Sequence, residues 1–95
     1  MRLKISKSFR DKLNDQVDFI SRDKPTAAIR FKNDLMSISR ELPQKPFSNQ
    51  KSIYFDREDI RDLIYKGYVI AYKINKDKNI IEVFGFTKHE EKPFG

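Results

Sequence analysis

Cysteine and tryptophan are missing from the 95 residues, histidine occurs once, and there are only three glycines and four prolines. Without cysteine there is no disulfide framework, no thiolate nucleophile and no cysteine metal site, which fits a reducing compartment. No apolar run approaches the roughly 20 residues a membrane span needs, and the opening MRLKISKSF lacks the apolar core of a signal peptide. The expectation is a soluble, unprocessed, cytoplasmic chain with no membrane association. Internal repeats and long low-complexity tracts are absent as well.

What is present is charge and aromatic bulk. Twenty Lys+Arg against fourteen Asp+Glu leave 20 − 14 = +6, so a partner of negative potential is favoured, although sign alone names none. Eight Phe and four Tyr within a 38% hydrophobic content suffice for a packed core despite 36% charged residues, and the length predicts a single domain over 1–95.

Arg2 to Ser6 alternates, turning Leu3 and Ile5 to one side of a short strand. Ser8 with Asp11 has the form of a capping box, and Phe9, Leu13, Val17 and Ile20 then recur at helical spacing to about Arg22. Asp23-Lys24-Pro25 breaks and restarts the pattern. Ala28, Phe31, Leu35, Ile38 and Leu42 form a second apolar stripe, antiparallel to the first, which Pro43 ends. Residues 43–52 read as a crossing loop; the Pro43 to Pro46 spacing is loop punctuation rather than a polyproline ligand.

Strand composition follows at Ile53 to Phe55, Ile60 to Tyr65, Tyr68 to Ile74 and Ile80 to Phe86. Tyr65-Lys66-Gly67-Tyr68 predicts a two-residue hairpin turn, with Gly67 taking positive φ and Lys66 adopting it under some strain. That register pairs Tyr65 with Tyr68, Leu63 with Ile70 and Arg61 with Tyr72 on a face turned to the helices. The opposite face carries Ile60, Asp62, Ile64, Val69, Ala71 and Lys73, free to meet solvent or a partner. Asn75 to Asn79 opens like a calcium loop but lacks the required Gly and the closing Glu, so it reads as a polar turn and no metal site is expected.

The order of strand, two helices and three strands, together with Pro25-Thr26-Ala27-Ala28-Ile29-Arg30-Phe31, Pro46-Phe47 and the run from Ile60 to Ile74, resembles the RelE/ParE superfamily of toxins from type II toxin-antitoxin systems. The resemblance spans nearly the whole chain and implies an α+β fold of order β-α-α-β-β-β, a helical hairpin packed on one face of a mainly antiparallel sheet. It implies growth inhibition, plasmid stabilization, a cognate antitoxin as partner and no cofactor. Its members divide between inhibitors of DNA gyrase, which are ParE-like, and ribosome-dependent mRNA endonucleases, which are RelE-like.

Ribonucleolytic chemistry needs a base, an acid and cations converging on one phosphate. Where the nucleases carry an arginine after the tyrosine that opens the third strand, this chain has Val69. The resemblance is therefore closer to the ParE-like members, acting by protein binding, with Ile64, Val69, Ala71 and Lys73 as contact residues. In the nuclease alternative, with ribosome and mRNA as partners, His89, Lys88 and Lys73 would substitute for the usual groups. Arg61 is structural or phosphate-contacting; its place opposite Tyr72 favours stacking on that ring and bonds to loop carbonyls. A noncatalytic basic nucleic-acid-binding module ranks lowest, because no aromatic-basic interleaving or helix-turn-helix pattern is visible.

Overall fold

The computed structural model describes residues 1–88 and follows the chain through β1 (Arg2–Ile5), α1 (Lys7–Ser21), α2 (Pro25–Glu41), a single 3-10 turn (Leu42–Gln44), β2 (Ile60–Tyr65), β3 (Tyr68–Asn75) and β4 (Ile80–Lys88). The strands form one sheet in the order β1-β4-β3-β2, with β1 parallel to β4 and the other neighbours antiparallel. This is the expected α+β arrangement, a helical hairpin on an open mixed sheet.

Helix α1 starts two residues earlier than Ser8 would set it. Ser6 is extended (φ −71°, ψ 155°) and its Oγ accepts from Phe9 N at 3.1 Å, so Ser6 is the cap and Ser8 lies inside the first turn. The reason is the abutting strand: Ser6 N donates to Val83 O at 2.9 Å, which fixes Ser6 as the corner between β1 and α1. Asp11 instead takes Lys7 Nζ at 2.7 Å, an exposed pair one turn apart. In α2, Pro25 occupies the first turn, where its missing N–H costs nothing.

Phe9 and Leu13 of α1 and Phe31 and Leu35 of α2 are buried with Tyr68, Ile70, Tyr72, Ile81, Val83 and Phe86 of the sheet. Ring contacts tie the layers: Phe9 meets Phe86 edge-on at 5.9 Å between centroids, and Tyr68 lies 5.0 Å from Phe31. The hairpin register is as expected, with Tyr65 opposite Tyr68, Leu63 opposite Ile70 and Arg61 opposite Tyr72. Both turn residues have positive φ, Lys66 at 46° and Gly67 at 82°, the geometry of a primed two-residue turn.

Two departures shape the other face. Residues 53–55 are not a strand. The Ile53 N–H is taken by the Asp62 carboxylate (3.0 Å to Oδ2) and that of Tyr54 by Ser52 Oγ (3.1 Å), so side chains accept the donors a ladder would need. Before that bend the chain pairs briefly with β2, Ser52 N donating to Ile60 O at 2.9 Å and Asp62 N to Gln50 O at 3.1 Å, which covers an otherwise open edge. The second departure is a bulge in β4. Ala71 faces Gly85 while Tyr72 faces Val83, leaving Phe84 as the extra residue.

Candidate protein-docking site

The sheet face away from the helices carries the cross-strand pairs Ile60–Lys73, Asp62–Ala71 and Ile64–Val69. The sequence pattern leaves this face free. In the structure it is partly roofed, because the segment at 50–55 bends over it after leaving the β2 edge. Ile60, Asp62, Val69 and Ala71 are consequently buried, whereas Ile64 stays 50% exposed and Lys73 half-buried.

The roof creates an apolar surface of its own. Phe55 meets Phe84 edge-on at 5.8 Å between centroids, and Tyr54, Phe55, Phe84, Val69, Ala71 and Thr87 line a groove of about 270 Å³, with Lys12 of α1 as its one cation. Beside it Ile53 and Phe55 are exposed, as is Ile64 on the neighbouring strand. Val69 and Ala71 thus form the groove floor, and Ile64, Ile53 and Phe55 are the side chains a partner would meet. Exposed aromatic and aliphatic groups around a shallow apolar groove are the elements of a protein contact.

One carboxylate holds the roof in place. Asp62 is almost wholly buried; its Oδ2 accepts from Ile53 N, and its Oδ1 has no hydrogen-bond partner among the described residues.

Cations on this side do not converge. Lys73 sits beside Ile60 and Glu82, and a hollow of about 380 Å³ next to it joins Lys73, Arg57 and Lys76 to Glu58, Asp59 and Asp77. Three positive groups therefore face three negative ones. Arg57 is already forked onto Asp59 (2.9 and 2.6 Å), and that hydrogen-bonded guanidinium holds the Asp59 carboxyl below its ordinary range.

The residues named for the nuclease alternative are not brought together. Lys88 pairs with Tyr68 at the start of β3, on the helix side, whereas Lys73 lies five residues further along β3 on the outer side, about 16 Å away along the strand. His89 lies outside the described residues. Among the described residues, no three His, Asp or Glu side chains are grouped so as to hold a metal ion, and no helix is long and apolar enough to cross a membrane.

Arg61 is engaged on every side. Its Nη1 donates to Asn49 O at 3.0 Å, Nε to Glu58 O at 3.0 Å and Nη2 to Glu58 Oε2 at 3.2 Å. It does reach loop carbonyls, but the ring beneath it is Phe47 at 5.0 Å and not Tyr72, since Tyr72 points its hydroxyl to Pro46 O (2.8 Å). Lys76 takes another position over the same Phe47 ring at 5.0 Å, so the crossing loop is clamped by two cations.

Sequence reasoning missed Ile53, Phe55 and Phe84 as surface-forming residues. The first two read as strand because of their composition. Phe84 did carry a signal, since the glycine that follows it inside a strand pattern marks a bulge. A family model, that of the ParE toxin of the type II toxin-antitoxin system parDE, matches residues 3–93. No curated protein matches the chain.

Proposed function

The chain belongs to the ParE toxin family of type II toxin-antitoxin systems, and from that premise we propose that it acts by binding DNA gyrase and is neutralised by a cognate antitoxin. The family implies an antitoxin partner; gyrase as the target is the proposal. In the same reading the toxin works in the cytoplasm, restrains growth and favours retention of the plasmid that carries its operon.

One observation carries it. The outer sheet face offers exposed apolar side chains, Ile53, Phe55 and Ile64, over a buried carboxyl group, while Arg57, Lys73 and Lys76 share their hollow with three acids and Lys12 is the one cation lining the apolar groove. Phosphodiester cleavage requires positive groups gathered where charge develops, whereas docking requires desolvated apolar anchors. The balance of groups supports docking.

The test is a pair of reactions with the purified chain. In a gyrase supercoiling assay we expect inhibition with accumulation of trapped enzyme on DNA, and in a translating ribosome extract intact mRNA. Cleaved mRNA with unaffected gyrase would replace this reading with the ribosome-dependent nuclease.

A further inference from the structure

The groove under the roof is not wholly apolar. β1 stops at Ile5 beside Val83, so from Phe84 onward it leaves the rim of β4 uncovered, and there Lys12 of α1 joins Gly85 and Thr87 in lining the groove. Lys12 is exposed and, among the described residues, has neither an ion-pair nor a hydrogen-bond partner. Its neighbour Asp11 is held by Lys7, and Asp15, three residues along the helix, does not pair with it. The exposed hydroxyl of Thr87 is likewise without a partner among the described residues.

Two unused donors therefore stand at the rim of a pocket with Val69 and Ala71 beneath and Phe55 and Phe84 beside it. A lysine on a wet helix face needs no ligand, and Lys12 by itself would be no more than that. As the single cation of an aromatic-sided pocket, next to a second free donor, it matches an anion attached to an apolar body. At about 270 Å³ the groove falls below the roughly 300–1,000 Å³ of small-molecule sites, which suits a large side chain and a neighbouring carboxylate better than a cofactor. A nucleic-acid strand would find rings to stack on but one cation for its row of phosphates. A second copy of this chain would bring another net charge of +6 to a site that already holds an unpaired cation.

We propose that the groove receives from gyrase one apolar side chain whose neighbour in sequence is Asp or Glu, the apolar group resting on Val69 and Ala71 and the carboxylate taken by the Lys12 ammonium and the Thr87 hydroxyl. The inference rests on the gyrase reading and deepens it. The apolar anchor supplies affinity, and Lys12 decides specificity, because a target with a cation at that point would set like charges face to face as water is expelled.

The experiment measures binding of the labelled full chain to DNA-free gyrase, and binding of a short peptide containing Phe-Glu, or its Phe-Lys twin, through the amide shifts of Gly85 and Thr87. We expect Lys12→Glu to weaken gyrase binding about tenfold or more. Lys32→Glu makes the same change of charge on the far side of the molecule, in the basic groove that Arg10, Lys32 and Arg40 line between α1 and α2, and should weaken it by no more than about twofold. Lys12→Met, which keeps the apolar stem, should flatten the salt dependence. Thr87→Val should weaken binding about threefold, and by less when combined with Lys12→Met, since both donors serve one carboxylate. Lys12 and Thr87 are exposed, so the melts of these variants should match the parent. The Phe-Glu peptide should shift both amides and its twin neither. Equal losses from Lys12→Glu and Lys32→Glu would reduce the effect to net charge and overturn the assignment, as would equal shifts with the two peptides. Displacement of the peptide by a single-stranded oligonucleotide would overturn it in favour of nucleic acid, and self-association abolished by Lys12→Glu in favour of a second copy. Gyrase binding indifferent to every Lys12 variant defeats only this inference; peptide shifts that need Lys12, without gyrase binding, defeat only the target reading.

Discussion

Two side chains under the crossing loop carry more of the fold than their types announce. Arg61 satisfies the carbonyls of Asn49 and Glu58 while covering Phe47, so its removal strips partners from part-buried oxygens. Arg61→Ala should cost about 2 kcal/mol, which for a domain of this size lowers Tm by roughly 10 °C in a circular-dichroism melt. Arg61→Lys recovers only part of it, because an ammonium cannot span two carbonyls as a planar fork does. An unchanged Tm with lost activity would instead make Arg61 a contact residue. Tyr72, fully buried, donates its hydroxyl to Pro46 O and accepts from Asn49 Nδ2 at 3.2 Å. Burial pushes its phenol above the ordinary value near 10. The unfolded chain then ionises first, so the stability this group supplies is complete below pH 10 and is lost as pH rises through the folded value. Tyr72→Phe should therefore lose about 1 kcal/mol in urea unfolding at pH 7, and its gap to the parent chain should narrow above pH 10. A gap that widened there would reverse the sign.

Among the elements, the β4 bulge is what turns Phe84 towards Phe55 and builds the apolar groove. Its tolerance is narrow at Gly85, where an added Cβ would stand 3.0 Å from the Ala71 Cβ on the neighbouring strand. Gly85→Ala should thus cost about 1–3 kcal/mol by overpacking, and Ala71→Gly in the same chain should return most of that loss. Additive losses in a denaturant double-mutant cycle would show that the close approach does not matter. The same strand explains what could be read beforehand. Helical spacing from Phe9 to Ile20 and from Ala28 to Leu42 made the hairpin legible, and Lys66-Gly67 made the β2–β3 register legible, because each is a local rule acting on neighbours in sequence. The roof was not legible. Its bend depends on Asp62 accepting from Ile53, nine residues away, and composition at Ile53 to Phe55 alone favours a strand. Ser6 in place of Ser8 as the cap has a similar origin, since the choice was made by a hydrogen bond to Val83 on a distant strand.

For the molecule as a whole, the sheet separates two surfaces of unlike chemistry, an apolar one beyond it and a basic one across the helices. A net charge of +6 spread over both would speed encounter with any acidic partner without deciding where that partner lands. Landing sites are decided by desolvation, and here Ile64 is the informative position: it is half-exposed, on the same face as the groove floor, and it has no structural burden visible in the core. Ile64→Arg places a solvated cation where the proposed target contact is dry. Stability should stay within about 0.5 kcal/mol of the parent, as for other surface exchanges, while the concentration needed to inhibit gyrase should rise about tenfold or more. Phe55→Ser at the roof should do the same through loss of an anchor. Full inhibition by both variants, with unaltered melts, would remove the outer sheet face from the mechanism. A fall in Tm matching the fall in activity would mean instead that the roof serves the fold and only indirectly the target.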